Sequence, residues 1–466
     1  MSAVDTVVHL VYLACATSFV LGLHLMNAPA TARRGNRISA AGMAVAIATT
    51  AVVLARDGSA RSDAVAALVA GAGAGAVAGL IAARRVRMTA MPQLVSLFNA
   101  VGGGAAALIA LGEPAGGTRA AVTGVLDVLI GAVTFSGSLV ASGKLAGRIP
   151  GGPIVVPVGR AITALTGVAA VALAVLVVGF DAPSAALYGI AGCALAAGVL
   201  LTLPIGGADM PVVISLLNAC TGTAVAMAGF VLESTPLIIA GGLVGAAGAI
   251  LTKLMADAMN RSIGSIIAGG YGTSDAVAVT TGAGSAPVRE ITADDAAIQL
   301  AYASRVVIVP GYGLAAAQAQ HEAVALAEAL TERGVDVSYA IHPVAGRMPG
   351  HMNVLLAEAN APYEQLRDLD ESNPEFARTD VALVVGANDV TNPAARRPGN
   401  PVSGMPILDV DKAHSVIVLK RSLGHGYAGI DNELYTTPQT AMLFGDAKAS
   451  LTALLDAVHV YAEGRS

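Results

Sequence analysis

The sequence predicts a polytopic α-helical membrane domain of about nine transmembrane helices, followed by a soluble α/β domain with a six-stranded parallel sheet. Two observations predict the membrane domain: 55% of the 466 residues are hydrophobic, and only 13% are charged. A third predicts the soluble domain, because residues 1–260 carry 13 Lys+Arg and 9 Asp+Glu, whereas the remainder carries 14 and 23. A hydrophobic sector of net charge +4 is therefore followed by an acidic, ordinary globular sector of net charge −9.

Apolar runs long enough to cross a bilayer, about 20 residues each, recur throughout the first sector. They predict helices at about 4–26, 38–55, 63–83, 91–111, 120–141, 160–180, 184–203, 210–231 and 236–257. The 54 glycines fit helices that pack closely through small residues. The first run follows an acid and no Lys or Arg, so it is expected to be a retained helix rather than a signal peptide.

Basic residues between these runs predict the orientation of the chain. Eleven Lys and Arg residues lie at one set of alternate helix ends and three lie at the other set. The excess marks the cytosolic side, so the N-terminus is expected outside and the C-terminal domain in the cytosol. The three cysteines show neither CxxC nor Cys/His pairing, so no metal site is expected.

Polar residues inside the apolar runs are candidates for function, because each is costly in a bilayer. Residues 91–100 read MPQLVSLFNA and residues 210–219 read MPVVISLLNA, so Asn99 and Asn218 occupy equivalent points. The two amides either join helices by hydrogen bonds or line a water-bearing path between two related helices; the repetition favours the path. Asp127 is a lone carboxyl that must be protonated or paired, and Asp209 lies near a cytosolic helix end.

Residues 262–300 are rich in Gly, Ser and Thr and are expected to form a linker or hinge. This linker would join the membrane domain at 1–261 to the soluble domain at 301–466. Strands are expected at RVVIVP, DVSYAIH, VALVVGA, PILDV, SVIVLK and AMLFG. The first runs into GYGLAA and then into helical periodicity. This strand, GxGxxA turn and helix form the fingerprint of a Rossmann-like dinucleotide site. Its candidate binding residues are Gly311, Tyr312, Gly313, Leu314, Ala315 and Ala316.

The end of the second strand discriminates between the two nicotinamide cofactors. NAD-binding domains usually carry Asp or Glu there, whereas this strand ends in Ala340, Ile341 and His342 without an acid. A later strand runs directly into Lys420, Arg421 and Ser422, which are suitable donors for a phosphate. A solvated strand end is the alternative interpretation of this cluster. Its place at a carboxyl end of the sheet favours phosphate binding, and thus NADP(H) over NAD(H).

Three further glycine-bearing loops follow strands, where open α/β sheets bind their ligands. Surface turn chemistry is the competing explanation for any one loop, but three at the same sheet edge favour a site. Arg347 is expected to contact phosphate, Asn388 and Asp389 to reach the nicotinamide end, and Tyr427 to belong to a lid. The other candidates in these loops are His342, Val344, Ala345, Gly346, Met348, Gly386, Ala387, Gly426 and Ala428.

Long strings of this chain resemble the β subunit of the proton-translocating NAD(P) transhydrogenases. PGYGLAAAQAQ, HPVAGRMPGHMNVLLAEA, VVGANDVTNPAA, KRSLGHGYAGIDN and MLFGDAKAS resemble the family's NADP-binding domain, and MPVVISLLNA and AMNRSIGSIIAGGYG resemble its membrane domain. The resemblance covers nearly the whole chain. It implies an NAD(P)⁺ transhydrogenase of the Si-specific, proton-translocating type, in a bacterial-type plasma (inner) membrane.

The resemblance also implies partners. Hydride would pass reversibly between NADH on a partner α subunit and NADP⁺ on this chain. The α subunit would add further membrane helices, and the α/β assembly would form a dimer in the lipid bilayer. No nucleic-acid partner is expected. Asp389 and the GYAG loop would respond to proton passage. The runner-up function is a secondary ion or solute transporter regulated by a cytosolic nucleotide-sensing Rossmann domain.

One position departs from the resemblance. Many β subunits of the family carry a histidine, assigned to proton transfer, where this chain has Asn99. An amide cannot carry a proton at neutral pH. Either a histidine on a membrane helix of the α subunit takes this role, or Asp127 contributes; the first alternative is favoured.

Overall fold

The computed structural model describes residues 3–26, 29–56, 62–113, 117–156, 158–180, 185–207, 209–268, 288–346, 350–400, 402–424, 426 and 428–463. The chain forms two compact units. One comprises Met1–Ile205 with Val213–Thr252, and the other comprises Gly206–Val212 with Lys253–Ser466.

Nine of the described helices are long and apolar enough to cross a membrane, which confirms the predicted number. They are α1 (Ala3–Met26), α2 (Pro29–Arg56), α3 (Ser62–Arg85), α4 (Met91–Gly112), α5 (Thr118–Leu145), α6 (Gly159–Phe180), α7 (Ala185–Thr202), α8 (Met210–Val231) and α9 (Thr235–Ala258). Two helices exceed their predicted lengths by more than a turn, because α2 also takes in three arginines near its start and α5 takes in Lys144. The arginines of α2 are exposed, and long basic side chains can carry their charge away from an apolar segment, so that helix need not begin where hydrophobicity begins. Lys144 is instead buried.

Helix α5 is the most buried of the nine, and small residues let its neighbours approach it. A Cβ on Gly131 would lie 3.0 Å from the backbone nitrogen of Ala107 in α4, and a Cβ on Gly103 would lie 2.9 Å from the carbonyl oxygen of Gly131. On α7, a Cβ at Gly198 would lie 3.1 Å from the nitrogen of Gly137. The predicted packing through small residues is therefore present where α5 meets α4 and α7.

The second unit holds a six-stranded, wholly parallel sheet. Its elements are α10 (Ile263–Ala268), α11 (Ala293–Tyr302), β1 (Arg305–Pro310), α12 (Tyr312–Ala317), α13 (Gln320–Glu332), β2 (Asp336–Ala340), α14 (His351–Glu358), β3 (Leu366–Arg367), α15 (Leu369–Ser372), β4 (Val381–Val385), β5 (Ser415–Lys420), β6 (Thr440–Phe444) and α16 (Ala447–Glu463). The spatial order is β3-β2-β1-β4-β5-β6. This order reverses direction between β1 and β4, which is the switch point of a Rossmann-like sheet.

The prediction of a strand at PILDV is wrong. Ile407, Leu408 and Val410 are buried there, but the backbone of this segment bonds to loops instead of a strand ladder. The nitrogen of Leu408 donates to the carbonyl of Val390 at 2.9 Å, and the Asn373 amide donates to the carbonyl of Ile407 at 3.0 Å. The sixth strand is instead the two-residue β3, which is too short to give a pattern in the sequence.

The predicted linker at 262–300 lies partly outside the described residues, since 269–287 are not among them. Within the rest, Arg289 and Ile291 exchange backbone hydrogen bonds with Met442 of β6, at 2.7 and 3.0 Å. Helix α11 follows and buries Leu300. The domain boundaries at 261 and 300 remain predictions.

The close approach of α4 and α5 gives a testable prediction. Gly131→Val should lower the free energy of unfolding by about 1–3 kcal/mol, because the added side chain has no room against α4. The measurement is the thermal midpoint of the purified chain in detergent, followed by circular dichroism. Gly124→Val in the same helix is the control, since a Cβ there has nothing within 4 Å. Equal losses in both variants would show that helix propensity, and not the crossing, is responsible.

Candidate functional site

A cavity of about 530 Å³ lies at the carboxyl edge of the sheet, where the loops after five of its strands converge. Its lining residues are Gly311, Tyr312, Gly313, Ala316, Val344, Ala345, Gly346, Gly386, Ala387, Asn388, Asp389, Val390, Leu419, Lys420, Arg421, Ser422, Gly424, Gly426, Gly445 and Ala447. The structure thus brings together loops that are separated by more than a hundred positions in the sequence.

The floor of the cavity is the contact between the loops after β1 and β4. The nitrogen of Gly311 donates to the carbonyl of Val385 at 2.9 Å, and the nitrogen of Gly313 donates to the carbonyl of Gly386 at 3.0 Å. A Cβ on Gly313 would lie 2.6 Å from the Cα of Gly386, which itself has φ +66°. Only glycine fits this approach, so two backbones meet at the switch point without side chains between them.

Helix α12 begins within the GYGLAA motif, and the predicted helical periodicity after it forms α13. Helix α12 ends after six residues because Gln318 adopts a left-handed conformation with φ 52° and ψ 44°. Tyr312 and Ala316 line the cavity, whereas Leu314 and Ala315 are fully buried in the core beneath it. The latter two residues therefore support the turn and do not face the cavity.

The loop after β4 is tied to the loop after β5 by Asn388 and Asp389. With the Asn388 amide oriented to satisfy its neighbours, its oxygen accepts from the nitrogen of Gly426 at 2.6 Å and from Nζ of Lys420 at 3.2 Å. Oδ2 of Asp389 accepts from the nitrogen of Ala428 at 3.0 Å. A Cβ on Gly426 would lie 2.6 Å from the same carboxylate oxygen. Asp389 thus contacts both Gly426 and Ala428 beside the cavity.

Lys420, Arg421 and Ser422 stand together at the end of β5, as predicted. The ammonium of Lys420 lies 4.8 Å from the centroid of the Tyr435 ring and donates to the carbonyl of Gly424 at 2.5 Å. Burial lowers the pKa of Lys420, and nearby carboxylates oppose that shift. Arg421 is exposed and pairs with Asp446 at 2.5 Å. Two cations therefore lie at one rim of the cavity.

His342 lies beneath the cavity and is not among its lining residues. It is 2% exposed, with Nε2 2.7 Å from the carbonyl of Pro406 and Nδ1 accepting from the nitrogen of Val344 at 3.2 Å. These contacts place its proton on Nε2 and orient the 344–346 loop. Burial lowers the pKa of His342 to about 4, so the ring is neutral at pH 7.

Three predicted site residues, Arg347, Met348 and Tyr427, lie outside the described residues. Conversely, the candidate residues named from the sequence lack some lining residues, notably Gly445 in the turn after β6 and Ala447 at the start of α16. The string MLFGDAKAS contains both residues, but Asp446 and its neighbours lack a recognisable phosphate motif.

The repeated asparagines of the membrane helices lie on α4 and α8. Asn99 is buried; its amide donates to the carbonyl of Ile214 at 3.3 Å, and the Thr221 hydroxyl donates to the carbonyl of Asn99 at 3.2 Å. Asn218 is half-buried, and its side chain makes no hydrogen bond within the described part of the chain. One amide therefore joins the helices, and the other is half-buried without such a bond among the described residues.

The two predicted carboxyls have opposite surroundings. Asp127 is fully buried in α5, and neither of its oxygens has a hydrogen-bond partner among the described residues. Asp209 accepts two hydrogen bonds from Nη1 of Arg261, at 2.8 and 2.7 Å. An unpartnered carboxylate is costly in an apolar interior, so the surroundings of Asp127 favour the protonated acid, whereas Asp209 is the ionised half of an ion pair.

The fold and the cavity define a multi-pass membrane protein that carries a Rossmann-like domain. The family model for the NAD(P) transhydrogenase beta subunit matches residues 8–457. The NAD(P) transhydrogenase subunit beta of Rhodospirillum rubrum is 47% identical over 462 residues, which cover 96% of this chain and 98% of the relative. The same protein from a named strain of that organism gives the same values. The chain belongs to the NAD(P) transhydrogenase beta subunit family.

The burial of His342 gives a prediction for pH dependence. Its folded-state pKa of about 4 lies below the ordinary value of 6.5, so its contribution to stability is complete above pH 6.5 and is lost as the pH falls towards 4. Protonation should cost the domain about 3 kcal/mol. Hydrogen-exchange protection of the Val344 amide, corrected for intrinsic rates, should fall over this range.

The matched variants are His342→Gln, which keeps a donor towards Pro406 without titrating, and His414→Gln at an exposed histidine. The first should flatten the pH dependence and the second should preserve it. A His342→Gln chain that loses protection as steeply as the unmodified chain would assign the effect to another group.

Proposed function

We propose that this chain is the NADP(H)-binding subunit of a proton-translocating NAD(P)⁺ transhydrogenase, an oxidoreductase and translocase of the Si-specific type. Hydride passes directly and reversibly between NADH on a partner α subunit and NADP⁺ held by this chain, and a proton crosses the membrane. The observation that carries the proposal is the glycine-floored cavity with two cations at its rim, in a chain with nine membrane spans among its described residues.

The residues present fit NADP(H). The cradle between Gly313 and Gly386 leaves the space that a Cβ would fill, so a pyrophosphate could approach the backbone there. Strand β2 ends without an acid, and Lys420, Arg421 and Ser422 supply donors for a 2′-phosphate. When bound, the nicotinamide supplies the hydride chemistry, which requires no acid or base from the protein.

The role of this chain in the reaction is to hold and shield the reacting end of the cofactor. Asn388 and Asp389 line the cavity and also accept hydrogen bonds from Gly426 and Ala428 of the loop after β5. Closing that loop excludes water, and opening it exchanges NADP(H). Asp389 is therefore the group through which proton passage acts on the affinity of the site, by favouring one of the two states.

The proton path is proposed to involve Asn99, Asn218, Asp127 and Asp209. The asparagines hold water and do not carry the proton. The carrier is a histidine on a membrane helix of the α subunit, and the buried Asp127 is the alternative within this chain. Asp209 lies near the end of this path, where its ion pair with Arg261 joins the start of α8 to the exit of α9.

The proposed assembly is a dimer of α/β units in a bacterial-type plasma membrane, with the N-terminus outside and the C-terminal domain in the cytosol. The family membership supports an α-subunit partner. Basic residues support the orientation, because the ends of α2, α3, α5 and α9 assigned to the cytosol carry the excess of Lys and Arg.

Hydride transfer is the direct test of the function. Inverted membrane vesicles that contain this chain and its α subunit should reduce an NADP⁺ analogue with NADH, and an imposed proton gradient should change the rate. The readout is the absorbance of the reduced analogue, with vesicles lacking this chain as the control. Solute flux without hydride transfer would instead support a transporter regulated by nucleotide.

The phosphate site is tested separately. Arg421→Ala should weaken NADPH binding about 10–100-fold with little effect on NADH, because a charge-assisted hydrogen bond contributes about 1.5–3 kcal/mol. Isothermal titration of the purified chain gives both affinities. Arg305→Ala is the control, since Arg305 pairs with Asp336 at the amino edge of the sheet. Unchanged NADPH affinity in the Arg421 variant would place the 2′-phosphate elsewhere.

A further inference from the structure

The central membrane helix ends in a buried cation. Gly137, Val140, Ala141 and Lys144 recur at helical spacing along α5, and all four are buried. Lys144 is only 5% exposed. It belongs to the last turn of the helix, so the buried face of α5 ends in an ammonium group.

Backbone carbonyls alone hold this ammonium. Nζ of Lys144 donates to the carbonyl of Gly152 at 3.1 Å, to that of Ile205 at 2.8 Å, and to that of Leu203. All three protons are thereby used. No carboxylate of the described residues pairs with it. Peptide dipoles, including those just beyond the C-terminus of α7, stabilise an ammonium at this position, and no anion among the described residues offsets its charge.

An apolar residue or a neutral donor would be the simpler way to close a helix end, since burying an unneutralised charge is costly. The retained charge therefore calls for a function. A net positive charge within a bundle raises the energy of any further cation nearby, and membrane pores use such charges to exclude protons.

The position of Lys144 relative to the polar path gives this charge a target. The buried face of α5 that carries Lys144 meets α8 at Gly137, where a Cβ would lie 3.4 Å from Cδ2 of Leu217, the neighbour of Asn218. Lys144 follows Gly137 by seven residues, which is about 10 Å along the helix axis. On the same helix, the hydroxyl of Ser138 is buried and has no hydrogen-bond partner among the described residues. The cation thus lies beyond these polar groups, towards the cytosolic end in the proposed orientation.

We propose that Lys144 is an electrostatic barrier that closes the cytosolic end of the path between α4, α5 and α8 to uncoupled protons. The inference rests on the proposed proton translocation and names a residue that limits leak through it. At about 10 Å and an effective dielectric constant near 20, the repulsion energy between two unit positive charges is roughly three times RT. A barrier of that height slows proton passage roughly tenfold. Loss of the charge should therefore raise passive proton conductance on the order of tenfold.

The experiment reconstitutes the complex of this chain with its α subunit into liposomes that contain a pH-sensitive dye. Without nucleotides, a potassium gradient and valinomycin impose a membrane potential, and the initial rate of internal pH change measures leak. Lys144→Gln keeps hydrogen-bond donors for the carbonyls but removes the charge, and should leak about tenfold faster. Lys144→Arg keeps the charge and should remain within about twofold of the unmodified complex.

Lys253→Gln is the matched control. Lys253 lies near the same predicted side of the membrane at the end of α9, but it is exposed and pairs with Asp257 at 2.9 Å. Its leak should be unchanged. A Lys144→Gln complex that binds NADPH normally and leaks no faster than the unmodified complex would overturn the proposal, as would an equal increase with Lys253→Gln.

Two further measurements distinguish failure of the barrier from misfolding of the Lys144 variant and from failure of the proposed function. If Lys144→Gln lowers the yield of folded complex, Lys144→Met is compared with Lys144→Arg in the same assay, and equal leak in both overturns the barrier. A purely structural role would lower stability and hydride turnover without raising leak. Hydride transfer by the unmodified complex is assayed in parallel, so failure of the proposed function is seen independently of the leak comparison.

Discussion

Close approach of backbones is the constraint on which both units of this protein depend. In the second unit, the loops after β1 and β4 meet at Gly313 and Gly386, where no Cβ fits. The cavity exists because these loops occupy so little space at the switch point of the sheet. In the first unit, Gly103 and Gly131 bring α4 and α5 together in the same way. Bulk at these positions would separate the elements that carry the functional groups.

Polar groups in the low-dielectric interior usually have a hydrogen-bond partner, and a group without one needs a physical explanation. Asn99 joins α4 to α8, and Asp209 pairs with Arg261. Asp127 lacks a partner among the described residues and is accordingly favoured as a neutral acid. Lys144 is held by backbone carbonyls. Each of these polar groups thus has different surroundings, which its neighbours in the fold supply.

Most of the fold could be predicted from the sequence, because hydrophobic length and periodicity are local signals. The nine membrane helices and five of the six predicted strands belong to this class. The prediction of a strand at PILDV was wrong because burial alone does not make a strand. The backbone of this segment bonds to loops that are distant in the sequence. Strand β3, at two residues, is defined only by its pairing with β2. Likewise, the cavity lining at Gly445 and Ala447 follows from the position of β6 in the sheet, which no local pattern specifies.

By itself, the sequence determined that the chain has a membrane sector and an acidic sector with a dinucleotide fingerprint, and its motifs indicated which loops meet at the cavity. These features follow from composition, periodicity and glycine spacing. Only the tertiary structure decided how individual polar groups are partnered. It placed Asn99 against Ile214, left Asp127 unpaired, and buried Lys144 among three carbonyls. The reason is physical: the protonation and role of a polar group depend on what surrounds it within a few ångströms, and those neighbours come from other helices.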